Sequence, residues 1–137
     1  MLTIIATIKP QHLDNIRARL KLYEIRKTCP KEVPFRVLCC QSKSGGKILA
    51  EFEVQAPMKV RPLVWPELVR DACLFMHEAE IYAAGKEIWF WDINNMIDYC
   101  SEKGYRVRNV SEFGLKRAPQ SWCYVEDLQN GKRKTTD

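Results

Sequence analysis

The chain has 137 residues, 46% of them hydrophobic, which suits one domain with one core and excludes two ordinary domains. No apolar run approaches the roughly 20 residues that span a bilayer, and Lys9-Pro10 interrupts the N-terminal apolar stretch too early for a signal peptide, so the cytoplasm is the expected compartment and no membrane partner is expected. The net charge of +5 is uneven: residues 1–50 carry ten Lys/Arg against three Asp/Glu, a balance of +7, and residues 51–137 carry twelve against fourteen, a balance of −2. Such a field suits either a phosphate-bearing partner or a solvated basic face.

Leu2 to Ile8 is apolar and β-branched, a first strand, and Pro10 suits the first turn of a helix whose stripe is Leu13, Ile16 and Leu20. Leu22–Lys27 is a second strand. In it Glu24 and Arg26 point one way and Tyr23 and Ile25 the other. Read locally, Glu24 and Arg26 form an exposed ion pair of little energetic weight. A pair that instead holds a small polar ligand is the sharper alternative.

After a Pro-bounded loop, Phe35–Gln41 is apolar on both faces, which predicts burial on both sides. Ser42 to Gly46 turns the chain into Lys47–Val54, a hairpin with Ile48, Ala50, Phe52 and Val54 on one face and Leu49, Glu51 and Glu53 on the other. Pro57 to Pro66 is a connection. A helical stretch from about Trp65 to Ala84, in one or two pieces, stops at Gly85. Glu87–Ile93 is a strand that Asn94–Tyr99 continues after a kink. Cys100 to Gly114 shows no clear pattern, and Ser121–Val125 is the last strand. Residues 1–126 form the domain, and the polar residues 127–137 are expected to be a disordered tail. The expected class is α+β: a small mixed β-barrel of six to seven strands with two or three helices.

Six cysteines are scattered without a framework and read mostly as small, buried, reduced thiols. Cys73 and His77 stand four apart on a predicted helix, but two ligands do not make a structural metal site, and neither a metal nor another cofactor is expected.

Several motifs together resemble one family. Ile8-Lys9-Pro10, Lys21-Leu22-Tyr23-Glu24-Ile25-Arg26, Lys47 to Phe52, Tyr82 to Lys86, Trp91-Asp92-Ile93 and Pro119 to Val125 are similar, in order and spacing, to the ASCH domains of the PUA-like superfamily. The second of these resembles the GxKxxExR signature, and the last resembles the closing strand of a bacterial and phage branch. Arg19 stands where the signature has glycine, Ala50 where glycine is usual, and Asp92 where the branch often has histidine.

The resemblance implies a barrel with a cleft beside the first helix, and recognition of RNA or a modified nucleotide. It also implies, for some relatives, ribonuclease-like or N4-acetylcytidine deacylase activity. The deacylase type carries a nucleophilic threonine where this chain has Glu24, and a carboxylate beside Arg26 substitutes poorly for an activated hydroxyl.

The candidate ligand-binding residues are therefore Lys9, Lys21, Glu24, Arg26, Trp91, Gln120 and Ser121. Lys21 is a phosphate clamp or a solvated turn lysine, and Glu24 and Arg26 orient a base or pair structurally. Trp91 stacks on a base or fills the core. Gln120 and Ser121 line the cleft mouth or make a strand-entry turn, and Lys9 flanks the cleft or is a surface charge. Lys116 and Arg117 extend a phosphate track or lie in a solvated loop. In a hydrolase, Lys21 would work with Glu24 or Glu51. His12 and His77 receive no role. The leading expectation is a nucleic-acid-binding module. A hydrolase of RNA or an acylated nucleoside is the alternative, and a protein-binding regulatory domain of mobile-element origin is a second.

Overall fold

A computed structural model describes residues 1–127. Within them the order is β1 (Leu2–Ile8), α1 (Pro10–Arg17), β2 (Tyr23–Arg26), β3 (Phe35–Gln41), β4 (Lys47–Val54), β5 (Met58–Val60), α2 (Pro66–Asp71), α3 (Met76–Ala83), β6 (Ile88–Asp92), β7 (Asn94–Asp98), β8 (Arg108–Asn109) and β9 (Trp122–Val125). The class is α+β, as expected. The nine strands lie in two sheets, not in one set of six or seven. The main sheet runs β7-β4-β3-β1-β9, with β8 pairing the start of β4, and the small sheet runs β2-β6-β5. Among the described residues the main ladder ends at β7 and β9 and does not close on itself, so a closed barrel is not what these pairings make.

The extra strands come from stretches whose sequence gave no strand signal. β5 has three residues inside the proline-rich connection and β8 has two inside the polar stretch after Cys100, too short for a period to register. The kink after β6 is sharper than a continuation: β6 belongs to the small sheet and β7 to the main one. Asp92, which stands where the resembled branch often has histidine, fixes that crossing. Its carboxylate accepts from the backbone N–H of Gln55 and Ala56 and from the Asn94 amide.

Period-two alternation divides the core into layers. On one face of the main sheet Ile4, Ala6, Val37, Cys39 and Phe52 pack with Leu13 and Ile16 of α1 and with Trp91 of the small sheet. On the other face Ile5, Leu38 and Cys40 pack with Tyr99 and Val110. β3 is thus apolar on both faces because both are covered.

Ile48 departs from its expected face. A bulge between Cys39 and Cys40 pairs Cys40 with Ile48, and Ile48 joins the Ile5 layer while Ala50, Phe52 and Val54 stay in the other. The small sheet turns Tyr23, Ile25, Ile88 and Phe90 toward Leu68 and Val69 of α2 and Ala79 and Ala83 of α3. Its opposite side chains, Glu24, Arg26 and Trp91, face the main sheet.

All six cysteines are free, but burial is less general than expected: Cys39 and Cys40 are buried, Cys100 is exposed, and the rest are partly covered. Burial raises Cys29 and Cys40 to about 11, so neither is a ready thiolate. The expected disordered tail lies outside the described residues except for Asp127. No helix among the described residues is long and apolar enough to cross a membrane.

Candidate functional site between α1 and the small sheet

Two helix ends build the site. α1 has two buried apolar residues and Arg17 in its last turn, and it closes in a Schellman motif. The Arg19 N–H donates to Ile16 O and the Leu20 N–H to Asn15 O, both at 3.0 Å, with Arg19 at φ 62°. That is the left-handed conformation for which the signature glycine is suited. α2 closes the same way: Cys73 N–H donates to Arg70 O, Leu74 N–H to Val69 O, and Cys73 sits at φ 58°. The first turn delivers Lys21 and the second presents Ala72 O.

Lys21 Nζ donates to Ala72 O at 2.5 Å and lies 3.7 Å from Glu24 Oε1. Lys21 is only 2% exposed, so the solvated-lysine alternative falls. The ammonium completes a carbonyl left open at a helix C-terminus, where the helix dipole also favours positive charge. Burial lowers its pKa, and the Glu24 carboxylate works against that.

Glu24 and Arg26 are 6% and 7% exposed, so their ion pair is buried and the exposed-pair reading is overturned. Arg26 Nε and Nη2 donate to Glu24 Oε2 at 3.1 and 2.8 Å. Its Nη1 donates to Ser121 O and Oγ, and its Nη2 also to Thr7 O. These five bonds match the full donor set of a guanidinium, so Arg26 has no N–H left for a ligand. It clamps β1, β2 and the entry to β9 around Glu24, whose Oε1 retains acceptor capacity beside the Lys21 ammonium.

The structure therefore brings Lys21, Glu24, Arg26 and Ser121 together. Gln120 is exposed next to Ser121, and Lys9 is exposed at the N-cap of α1 with its carbonyl bonded into the helix. Lys116 and Arg117 are exposed. Trp91 is 0% exposed: its ring packs edge-on against Phe35 and Trp122, and the Arg26 guanidinium carbon lies 5.8 Å from the ring centre. It supports Arg26 from the core and offers no open face to a base.

Glu51 is not a partner of Lys21. It sits on the other face of the main sheet, 5% exposed, accepting from the Tyr99 hydroxyl at 2.8 Å with Arg36 Nε at 3.5 Å. It is not the outward strand glutamate expected either. Burial raises its pKa despite that hydrogen bond.

His12 belongs to the site although its sequence gave no reason to choose it. Its Nδ1 is buried with no hydrogen-bond partner. Burial lowers its pKa, the Lys21 charge adds to this, and Glu24 and Glu78 oppose it. The only sequence cue was its place on α1, one residue before Leu13 of the buried stripe. Tyr82 of α3 closes another side. Burial raises its pKa, Arg26 and Glu24 both act on it, and Lys27 Nζ lies 5.0 Å from its ring centre. Cys73, which borders Lys21 electrostatically, also lines a groove of about 530 Å³ along α2. His77 stacks on Phe75, which lines the same groove. Among the described residues no group of three His, Cys, Asp or Glu side chains has metal-holding geometry.

Among family models no match is found, and no curated protein matches in sequence. Solved structures do. A crystal structure of the ASCH protein from Zymomonas mobilis superposes with a TM-score of 0.75 at 14% identity, covering 91% of this chain and 88% of that one. Serine-to-alanine and tyrosine-to-phenylalanine variants of that protein give the same score and identity, over 89% and 91% of their chains. The chain has the fold of an ASCH domain.

Proposed function

We propose that this ASCH-fold chain is a nucleic-acid-binding module that recognises RNA or a modified nucleotide through the Lys21–Glu24 pair. The observation that carries the reading is the arrangement of that pair. Arg26 saturates Glu24 Oε2 and fixes the carboxylate, leaving Oε1 as an acceptor next to the Lys21 ammonium, 3.7 Å away. An acceptor beside a donor suits the edge of a base with an exocyclic amino group. The fold supports the reading at the level of a PUA-like module, and the +7 balance of residues 1–50 supplies charge for backbone phosphates.

Lys9, Gln120 and Ser121 would frame the mouth, Arg26 and Trp91 would position Glu24, and His12 joins the set. Lys21→Ala is expected to weaken binding of single-stranded RNA by about tenfold at low salt, as read by fluorescence anisotropy. If the unsubstituted protein binds no RNA or modified nucleoside at low salt, the proposal is wrong.

A hydrolase remains a second reading, and one observation favours it. His12 Nδ1 is buried, unpartnered and under the influence of Lys21 and Glu24, the circumstances of a neutral imidazole able to take a proton. Turnover of an acylated nucleoside or RNA that is lost in both His12→Ala and Glu24→Gln, with the fold intact, would establish it.

A further inference from the structure

On the face of the main sheet opposite Lys21, two arginines converge on one carboxylate. Arg108 Nη2 donates to Asp127 Oδ1 and Arg108 Nη1 to Asp127 Oδ2, each at 3.1 Å, and Arg36 Nη1 donates to Oδ2 at 3.2 Å. The three side chains are 4%, 12% and 0% exposed for Arg108, Arg36 and Asp127. The arginines are fixed from behind. Arg36 Nε is 3.5 Å from Glu51, which the Tyr99 hydroxyl also holds, and Arg108 Nε, buried without a hydrogen-bond partner, faces Glu112 at 3.6 Å as a charge contact. The Arg108 guanidinium lies 4.8 Å from the ring centre of Phe113.

The two kinds of group differ in how the fold holds them. Arg36 is on β3, inside the main sheet, and Arg108 is on β8, paired with β4. Asp127 lies two residues past the end of β9, outside any element. Withdrawing it would leave the Nη donors of two largely buried guanidiniums without their acceptor, with Glu51 and Glu112 only on the Nε sides, a costly condition that a fitting anion relieves. A fork of N–H donors on two oxygens is the arrangement in which guanidinium holds phosphate as readily as carboxylate.

We propose that Arg36 and Arg108 form a second anion site, covered by the chain's own Asp127, and that a phosphate group takes the place of that carboxylate when Asp127 is withdrawn. The site is separate from Lys21 and does not depend on the function proposed above.

The test uses the full chain in phosphate-free buffer, with Asp127→Ala and Asp127→Asn compared with the unsubstituted protein. Inorganic phosphate and a short oligouridylate are titrated by calorimetry, and folding is followed by circular dichroism. The expected result is phosphate binding at least about tenfold tighter in the Asp127 variants than in the unsubstituted chain, with the gain removed by adding Arg108→Gln and kept when Lys21→Ala is added. A gain for both probes assigns the site to phosphodiesters, and a gain for inorganic phosphate alone assigns it to free phosphate. No gain in a folded variant, or loss of the fold in both variants, would overturn the proposal and leave Asp127 as a clasp for the end of the domain.

Discussion

At the scale of single residues, Arg26 is where geometry and energetics coincide. Its guanidinium joins Glu24, Thr7 and Ser121, which lie on or next to three different strands. Truncating it leaves the buried Glu24 carboxylate with only the Lys21 ammonium at 3.7 Å and takes a donor from the carbonyls of Thr7 and Ser121, the latter still accepting from the Thr7 N–H. Arg26→Ala is therefore expected to cost about 3–5 kcal/mol in denaturant unfolding, whereas Gln120→Ala, exposed beside it, is expected to change stability by less than about 0.5 kcal/mol. His12 makes a pH prediction. Its folded-state pKa is lowered below 6.5, so between those two values the unfolded chain binds more protons than the folded one. The burial penalty is absent above pH 6.5 and grows as pH falls through that window. Stability measured as a function of pH should thus rise toward 6.5 in the unsubstituted protein, and the rise should be smaller in His12→Asn. An unchanged slope would mean that His12 is not shielded as the structure has it. Neither behaviour was legible in the sequence. A lysine, a glutamate and an arginine spaced two and three apart state their order along a strand, but not that the strand's polar face turns inward between two sheets.

Elements explain why those residues arrive where they do. α1 and α2 each end in a left-handed residue, Arg19 and Cys73, and the two turns meet through the Lys21–Ala72 hydrogen bond. A side chain at a left-handed position strains the backbone by about 1–2 kcal/mol, partly offset by the lower unfolded-state entropy it brings compared with glycine. Arg19→Gly should consequently raise stability by up to about 1 kcal/mol in chemical denaturation, without changing the slope of the transition. No change, or a loss, would indicate that the Arg19 side chain contributes something its exposed position does not reveal. The helices and the long strands were readable because their apolar periods are complete. Sheet membership was not, because β6 and β7 follow each other in sequence with only Ile93 between them, and it is their pairings, β6 with β2 and β5 and β7 with β4, that make the chain change sheets there. The same limit applied to Ile48, whose face is set by the bulge that leaves Leu49 of its own strand unpaired between Cys39 and Cys40 of β3, a break that the apolar period does not announce.

For the whole molecule, charge is the property that reaches farthest. With a balance of +7 over residues 1–50 and −2 over the rest, the RNA binding proposed above should weaken by about tenfold or more between about 50 and about 200 mM salt, and binding that proved indifferent to salt would point away from phosphate contacts. The layered arrangement also has a kinetic side. β1 lies between β3, which it pairs in parallel, and β9, which it pairs antiparallel with Thr3 opposite Val125. The first strand of this fold is thus a central strand, and one of its two edges waits for the fold's last strand. On the ribosome, Leu2–Ile8 would emerge with that edge open while every intervening element is synthesised. Such long-range pairing is slow to form, and an open apolar strand edge is prone to wrong partners in the interval. The segment following Ser121 is therefore the step on which completion of the main sheet depends during synthesis.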